Sequence, residues 1–332
     1  MPNLSTEYMG LKLKNPIIIA SSGLTDTVES IKSLEENGAA AVVLKSLFEE
    51  EIVAEMDAQL KKMSSVSPLY PETLDFYEEY EDDNMSMQYL ELIKDAKKTV
   101  KIPIIASINC VTADQWTYFP KEIEKAGADA LELNLFLLPS DFKRDAEAIN
   151  KVYLDIVKKV KEQISIPVAL KVSYYSTDLA LHLQKLSKTG IKALVLFNKF
   201  YSPDIDLDKM EITSGKILSS PDDMHISLRW MGIMAGRVEC DLAASTGVHT
   251  GKDAIKQILA GANAVQVVST IYLNGTEQIQ KMLSDIKKWM DEKGFKSIDE
   301  FRGKMSQTNI DNPAAYERVQ FMKYFRGYKA VK

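Results

Sequence analysis

"EKAGADALEL", residues 124–133, joins the end of a helical pattern to the start of a strand pattern through a glycine. The same junction recurs as "EENGAAAVVL" (35–44), "SKTGIKALVL" (187–196) and "LAGANAVQVV" (259–268). In each, Gly38, Gly127, Gly190 or Gly261 stands where a left-handed helix cap is expected, and a continuous apolar run follows. Runs of this kind suit parallel strands buried on both faces. Adding "NPIIIAS", "IPIIASINC", "PVALKVS" and "CDLAAST" brings the number of such runs to eight, with amphipathic stretches such as "TVESIKSLEENG" and "AINKVYLDIVKKVKEQ" between them. Eight repeats of about one βα unit predict a (β/α)8 TIM barrel; a doubly wound open sheet is the alternative.

No Pro/Gly/Ser-rich linker divides the 332 residues, so one domain, 1–332, is expected. An opening hairpin, "LSTEYMGLKLKN", is expected to plug the barrel floor, and residues 297–332 are expected to form a C-terminal helical extension. Two excursions exceed ordinary loop length: residues 47–86 after the second strand and 200–223 after the sixth. Both leave the C-terminal ends of strands, where barrel enzymes build their sites, so both are candidate substrate walls. The acidic run "YEEYEDDN" within the first also reads simply as a solvated loop.

With a net charge of -6 and basic residues spread along the chain, nothing suggests a nucleic-acid surface. No apolar run approaches the roughly 18 residues of a membrane span, and no targeting pattern opens the sequence. Cys110 and Cys240 are far apart and lack metal-ligand spacing, and His182, His225 and His249 are mutually isolated. A cytoplasmic protein without a metal and without membrane partners is expected.

The strand ends carry the functional signal. Ser21 and Ser22, Lys45 and Ser46, Asn109, Asn134, Lys171, Asn198, Ser245 and Thr246, and Ser269 and Thr270 all fall at the same end of successive runs. One terminal Asn or Ser is readily turn chemistry. A polar residue at every strand end suggests a shared site, and an unpaired ammonium on a buried strand, as at Lys45 and Lys171, is costly without a purpose. In "ASTGVHTGKDAIKQIL", Thr250 and Asp253 have capping-box spacing, and Gly247 and Gly251 would let backbone amides approach a phosphate.

These segments resemble the dihydroorotate dehydrogenase family from end to end. "LSTEYMGLKLKNPIIIASSG", "VVLKS", "LELNL", "ALKVS" and "STGVHTGKDAIKQILAGANAVQVVST" are similar to its opening, its second, fourth and fifth strands, and its FMN-phosphate region. The resemblance implies FMN, with Ala20, Ser21 and Ser22 against the flavin and Lys45 and Ser46 near its ring and ribityl chain. It implies that Asn109, Asn134 and Asn198 hydrogen-bond ring or substrate and that Lys171 faces the N1–C2 edge. Thr246, Gly247, Val248, Ser269 and Thr270 would then hold the phosphate. It further implies a small-molecule substrate, a homodimer and a cytosolic rather than quinone-linked class.

The sequence also departs from the family. Where a Cys or Ser base follows the fourth strand, "NLFLLPSD" places Leu137 or Leu138. The substrate-gripping "NSMGLPN" segment is missing, and the paired glycine of the phosphate loop is Thr246. Cys110, Tyr174 and Tyr175 are candidate substitutes for the base, with Tyr201 and Asp141 behind them; Lys199, Arg229 and Arg237 are candidates for gripping an anion. Two further readings stay open: a non-catalytic flavin-binding barrel or subunit serving a redox partner, and a flavin-free aldolase with Lys171 as a Schiff-base lysine.

Overall fold

The computed structural model describes residues 2–48, 85–110, 119–200 and 202–317. Most of the excursion after the second strand, Tyr201, and everything beyond Glu317 lie outside the described residues, as does the Cys110 side chain. The eight apolar runs form β3 (Ile17–Ile19), β4 (Ala41–Val43), β6 (Ile104–Cys110), β7 (Ala130–Leu135), β8 (Val168–Val172), β9 (Ala193–Leu196), β12 (Asp241–Ser245) and β13 (Ala264–Val267). They pair in parallel in the order β4-β3-β13-β12-β9-β8-β7-β6, and β4 pairs with β6 to close the barrel. A short β5 (Leu47–Phe48) continues beside β6. Closure removes the sheet edges and turns alternate residues into one interior, so the TIM barrel is the observed fold.

All four junction glycines have positive φ, from +83° at Gly190 to +131° at Gly261, which is the conformation the helix-to-strand turn requires. Outward residues such as Leu131 and Leu133 join a large apolar layer beneath the helices. Inward residues are small at the N-terminal end: Ala130, Ala169, Ala193, Ala243 and Ala264. The space they leave is filled by Tyr8, Met9 and Leu13 of the opening hairpin, β1 (Thr6–Tyr8) and β2 (Leu11–Leu13). The Met9 N–H donates to Asp241 Oδ2 at 2.7 Å, fixing this plug to the start of β12.

The excursion after β9 forms an antiparallel hairpin, β10 (Pro203–Asp206) and β11 (Glu211–Ser214). The C-terminal extension is less helical than its pattern suggests. Its described part runs as turns from Ser297 until a four-residue helix, Ala314–Glu317. The physical reason is competition for N–H donors: Gly303 and Met305 donate to Ile258 and Leu259 carbonyls, and Gln307 donates to Gly232. The strap thus satisfies carbonyls at the end of the helix Gly251–Ala260 and keeps only short turn bonds of its own, such as Ser306 N–H to the Gly303 carbonyl. Among the described residues no helix is long and apolar enough to cross a membrane, and no group of three His, Cys, Asp or Glu could hold a metal.

Candidate active site

Register brings the strand ends together. Asn109 lies opposite Asn134, and Asn134 opposite Lys171. Because side chains alternate, the residues two before them, Ser107 and Glu132, point into the same interior one level deeper. The Asn198 amide donates to Asn134 Oδ1. Ser46 is held from both sides, its N–H donating to Ser21 Oγ at 2.9 Å and its hydroxyl sharing a 2.7 Å hydrogen bond with Ser107. Tyr89 anchors that chain by accepting the Ser107 N–H at 2.7 Å.

Ala20, Ser21, Ser22, Lys171 and Asn198 line a cavity of about 290 Å³ at the C-terminal end of the barrel. Its far wall is Thr246, Gly247, Val248 and Ser269, together with Gln266. Lys171 is buried, with Nζ 3.1 Å from Gln266 Oε1 and 3.8 Å from Glu132 Oε1. Burial pushes its pKa down, and the Glu132 carboxylate opposes that shift. Glu132 and Gln266 are site residues that the strand-end pattern passes over. The alternation in "LELNL" could have found Glu132, because an inward Asn134 makes Glu132 inward too. Lys45 behaves differently: β4 ends at Val43, and Lys45 is exposed beyond it, so the cost of a buried ammonium argues for Lys171 alone. Asn109 lines none of the cavities described here, while Ser46 and Asn134 stand behind the wall.

At the other end Thr250 and Asp253 form the expected capping box: Thr250 Oγ1 accepts the Asp253 N–H at 3.3 Å, and Asp253 Oδ2 accepts the Thr250 N–H at 3.0 Å. The glycines serve closer neighbours than a ligand. A Cβ on Gly251 would stand 2.4 Å from Asp285 Cβ, and one on Gly247 would stand 2.2 Å from the Met224 nitrogen. Ser219, from the excursion after β9, closes over this end. Its hydroxyl accepts the Gly247 N–H at 3.2 Å and lies 3.3 Å from His249 Nε2, and its N–H donates to Ser269 Oγ at 2.9 Å. No motif marks Ser219 in the sequence. Thr270 is fully buried and donates to the His249 carbonyl, so its hydroxyl supports the loop from behind.

The sequence profile of the dihydroorotate dehydrogenase family matches residues 79–290, well over half of the chain. The chain belongs to the dihydroorotate dehydrogenase family. It is 28% identical over 314 residues to the "Dihydroorotate dehydrogenase B (NAD(+)), catalytic subunit" of Thermoplasma volcanium, covering 91% of this chain and 98% of that protein. The proteins of the same name from Pyrococcus furiosus and Methanocaldococcus jannaschii are 27% and 25% identical, covering 91% and 90% of this chain and 98% and 97% of theirs. Such kinship supports an oxidoreductase resembling dihydroorotate dehydrogenase.

The loop after β7 is apolar. Phe136 packs on Phe200 with ring centroids 4.3 Å apart, and Tyr174 and Tyr175 join the same cluster. The Leu137 N–H donates to the Tyr153 hydroxyl at 3.3 Å, and Leu138 is half exposed. Tyr174, Tyr175 and Phe200 wall a second cavity, of about 200 Å³, which shares Asn198 and Thr246 with the first. Tyr174 is a poor base there, because burial and the neighbouring Tyr175 push its hydroxyl up to about 12. Lys199 reaches both cavities, 3.6 Å from Asp223. Asp141 pairs with Arg144 on the surface, Arg237 is bonded to Gln307 at 2.6 Å, and Arg229 is exposed, so none of these three lines either cavity.

Proposed function

We propose that this protein is an FMN-dependent oxidoreductase taking hydride from a small substrate, dihydroorotate or another dihydropyrimidine-like compound, without the family's usual Cys or Ser base. The observation that carries the reading is Lys171. A buried ammonium lines the cavity with one hydrogen bond to Gln266, leaving donor capacity toward the interior. The rest of the wall suits the same group. Ser21, Ser22 and Asn198 offer neutral polar contacts, and the Thr246–Val248 turn with Ser269 lies at the end suited to a phosphate.

Bound FMN would supply the hydride acceptor at N5 and carry the resulting negative charge near N1 and O2. Lys171 would stabilise that charge from a fixed position, which is the advantage of preorganised electrostatics. Asn198, oriented by Asn134, would fix the ring or substrate edge. The aromatic wall of Tyr174, Tyr175 and Phe200 would exclude water from the substrate side. Purified protein should be yellow or become so on adding FMN; a protein that stays colourless with FMN present refutes the reading.

One observation favours a variant of it. Leu137 and Leu138 cannot accept a proton, and three relatives are named as catalytic subunits of an NAD-linked enzyme. The chain would then exchange electrons with a redox partner on a substrate other than dihydroorotate. Anaerobic mixing with dihydroorotate distinguishes the two, since rapid bleaching of the flavin requires a working base.

A further inference from the structure

The barrel interior holds an ion pair beneath the cavity. Glu132 is 1% exposed and sits one level below Asn134 on β7. Its Oε2 accepts the Gln266 Nε2–H at 2.5 Å, and Gln266 Oε1 accepts from Lys171 Nζ at 3.1 Å. The amide orientation of Gln266 follows from its neighbours: its NH2 must meet the carboxylate and its oxygen the ammonium. Glu132 Oε1 lies 3.8 Å from Lys171 Nζ and has no hydrogen-bond partner among the described residues.

Stability alone does not account for this arrangement. Burying a carboxylate is costly, and replacing a buried ion pair by apolar side chains of similar volume is often neutral or stabilising. Three strands instead contribute one residue each to a chain that ends on Lys171, the buried lysine of the cavity wall. We propose that Glu132, acting directly and through Gln266, is a positioning residue that holds Lys171 as a fixed cation at the cavity floor. The proposal rests on the FMN reading for its purpose, though the coupling of the two side chains can be tested without FMN.

The surroundings leave Glu132 as the determining partner. It is the carboxylate within ion-pair distance of Lys171 among the described residues. Tyr8 faces Glu132 from the floor and Tyr89 from behind β6, and burial raises both phenols, which keeps them neutral. Lys199 is engaged with Asp223, and Lys45 is exposed. Burial favours a neutral Lys171 amine, so removing the carboxylate removes the main influence opposing deprotonation.

A cation already in place changes the proton count of reduction. With Lys171 protonated beforehand, two-electron reduction by dithionite takes up one proton, at N5. With Lys171 neutral beforehand, reduction also protonates the amine and takes up two. The test measures the midpoint potential of FMN-loaded protein against a reference dye between about pH 6 and 9, above and below neutrality. The native protein should show the dependence of one proton per two electrons, Glu132→Gln that of two, and Glu132→Asp should restore one. An unchanged dependence in Glu132→Gln overturns the proposal while leaving FMN binding intact.

A second arm uses protein without FMN. In ¹³Cε-lysine spectra, with the Lys171 signal assigned by its loss in Lys171→Met, Lys171 should titrate at lower pH in Glu132→Gln than in the native chain. An unmoved titration overturns the coupling even if the protein binds no flavin, whereas a protein that shifts as expected yet stays colourless refutes only the FMN reading. If Glu132→Gln does not fold, adding Lys171→Met should restore folding because no buried amine is left without its partner; failure of that rescue also overturns the proposal.

Discussion

At Leu137 the side chain packs against the core while its N–H is held by Tyr153, whereas Leu138 is 50% exposed beside Pro139. That difference decides which position could regain proton chemistry. Leu138→Cys should raise the rate of anaerobic flavin bleaching by dihydroorotate by about 10²–10⁴, the usual contribution of a positioned base, and Leu137→Cys should raise it less. Stopped-flow absorbance checks both, and equal inertness would place the native proton acceptor elsewhere. Gly247 gives a second residue-scale test. Its φ is +78°, and an added Cβ would meet the Met224 backbone at 2.2 Å, so neither strain nor space can be relieved by a rotamer change. Gly247→Ala should therefore cost more than the roughly 1–3 kcal/mol of ordinary overpacking, read from urea unfolding.

At the scale of elements, the capping box that starts the helix Gly251–Ala260 also holds the loop carrying His249, since Asp253 Oδ2 accepts the His249 N–H at 3.3 Å. Thr250→Ala should destabilise the protein by about 1 kcal/mol at neutral pH, within the 0.5–2 kcal/mol typical of lost caps. Burial alone would raise the Asp253 carboxyl, but hydrogen bonds from Thr250 and His249 and the nearby Lys256 outweigh it, so its pKa is lowered. A lowered carboxylate pKa gives stability that is present above the unfolded value of about 3.9 and lost as pH falls through the folded value. The cost of Thr250→Ala, measured by urea unfolding at several pH values, should accordingly shrink below about pH 4. The capping box was legible because both partners sit at fixed spacing in one segment. Ser219 was not, because it reaches the same loop from an excursion whose path depends on tertiary packing. Lys171 and Glu132 show the same divide within one strand set: inward direction follows from alternation, but the 3.8 Å approach between strands β7 and β8 requires the register.

For the whole molecule, the repeated helix-to-strand junction made the barrel readable, since closed parallel sheets need buried apolar strands and tight left-handed returns. The strap after Ser297 was less readable because three of its donors, Gly303, Met305 and Gln307, serve carbonyls of other elements. One global property follows from burial on the barrel's outer face. His182 is 5% exposed, edge-on to Tyr153, and lines a cavity between the helices Ala146–Lys161 and Leu179–Ser187. Burial lowers its imidazole to about 4, with Asp178 opposing. The unfolded chain, with an imidazole near the ordinary value of about 6.5, binds more protons than the folded one across that interval. Stability should therefore fall as pH drops from about 6.5 to 4, by on the order of 2–3 kcal/mol. Asp241 works in the opposite sense, because burial raises its carboxyl, so it retains protons in the folded state and partly masks the slope. His182→Phe keeps a ring against Tyr153 and leaves Asp241 untouched. The difference between native and variant unfolding free energies, measured by urea at half-unit pH intervals, should thus isolate His182 as a slope confined to this window, and parallel curves would show that the imidazole is protonated in the folded protein.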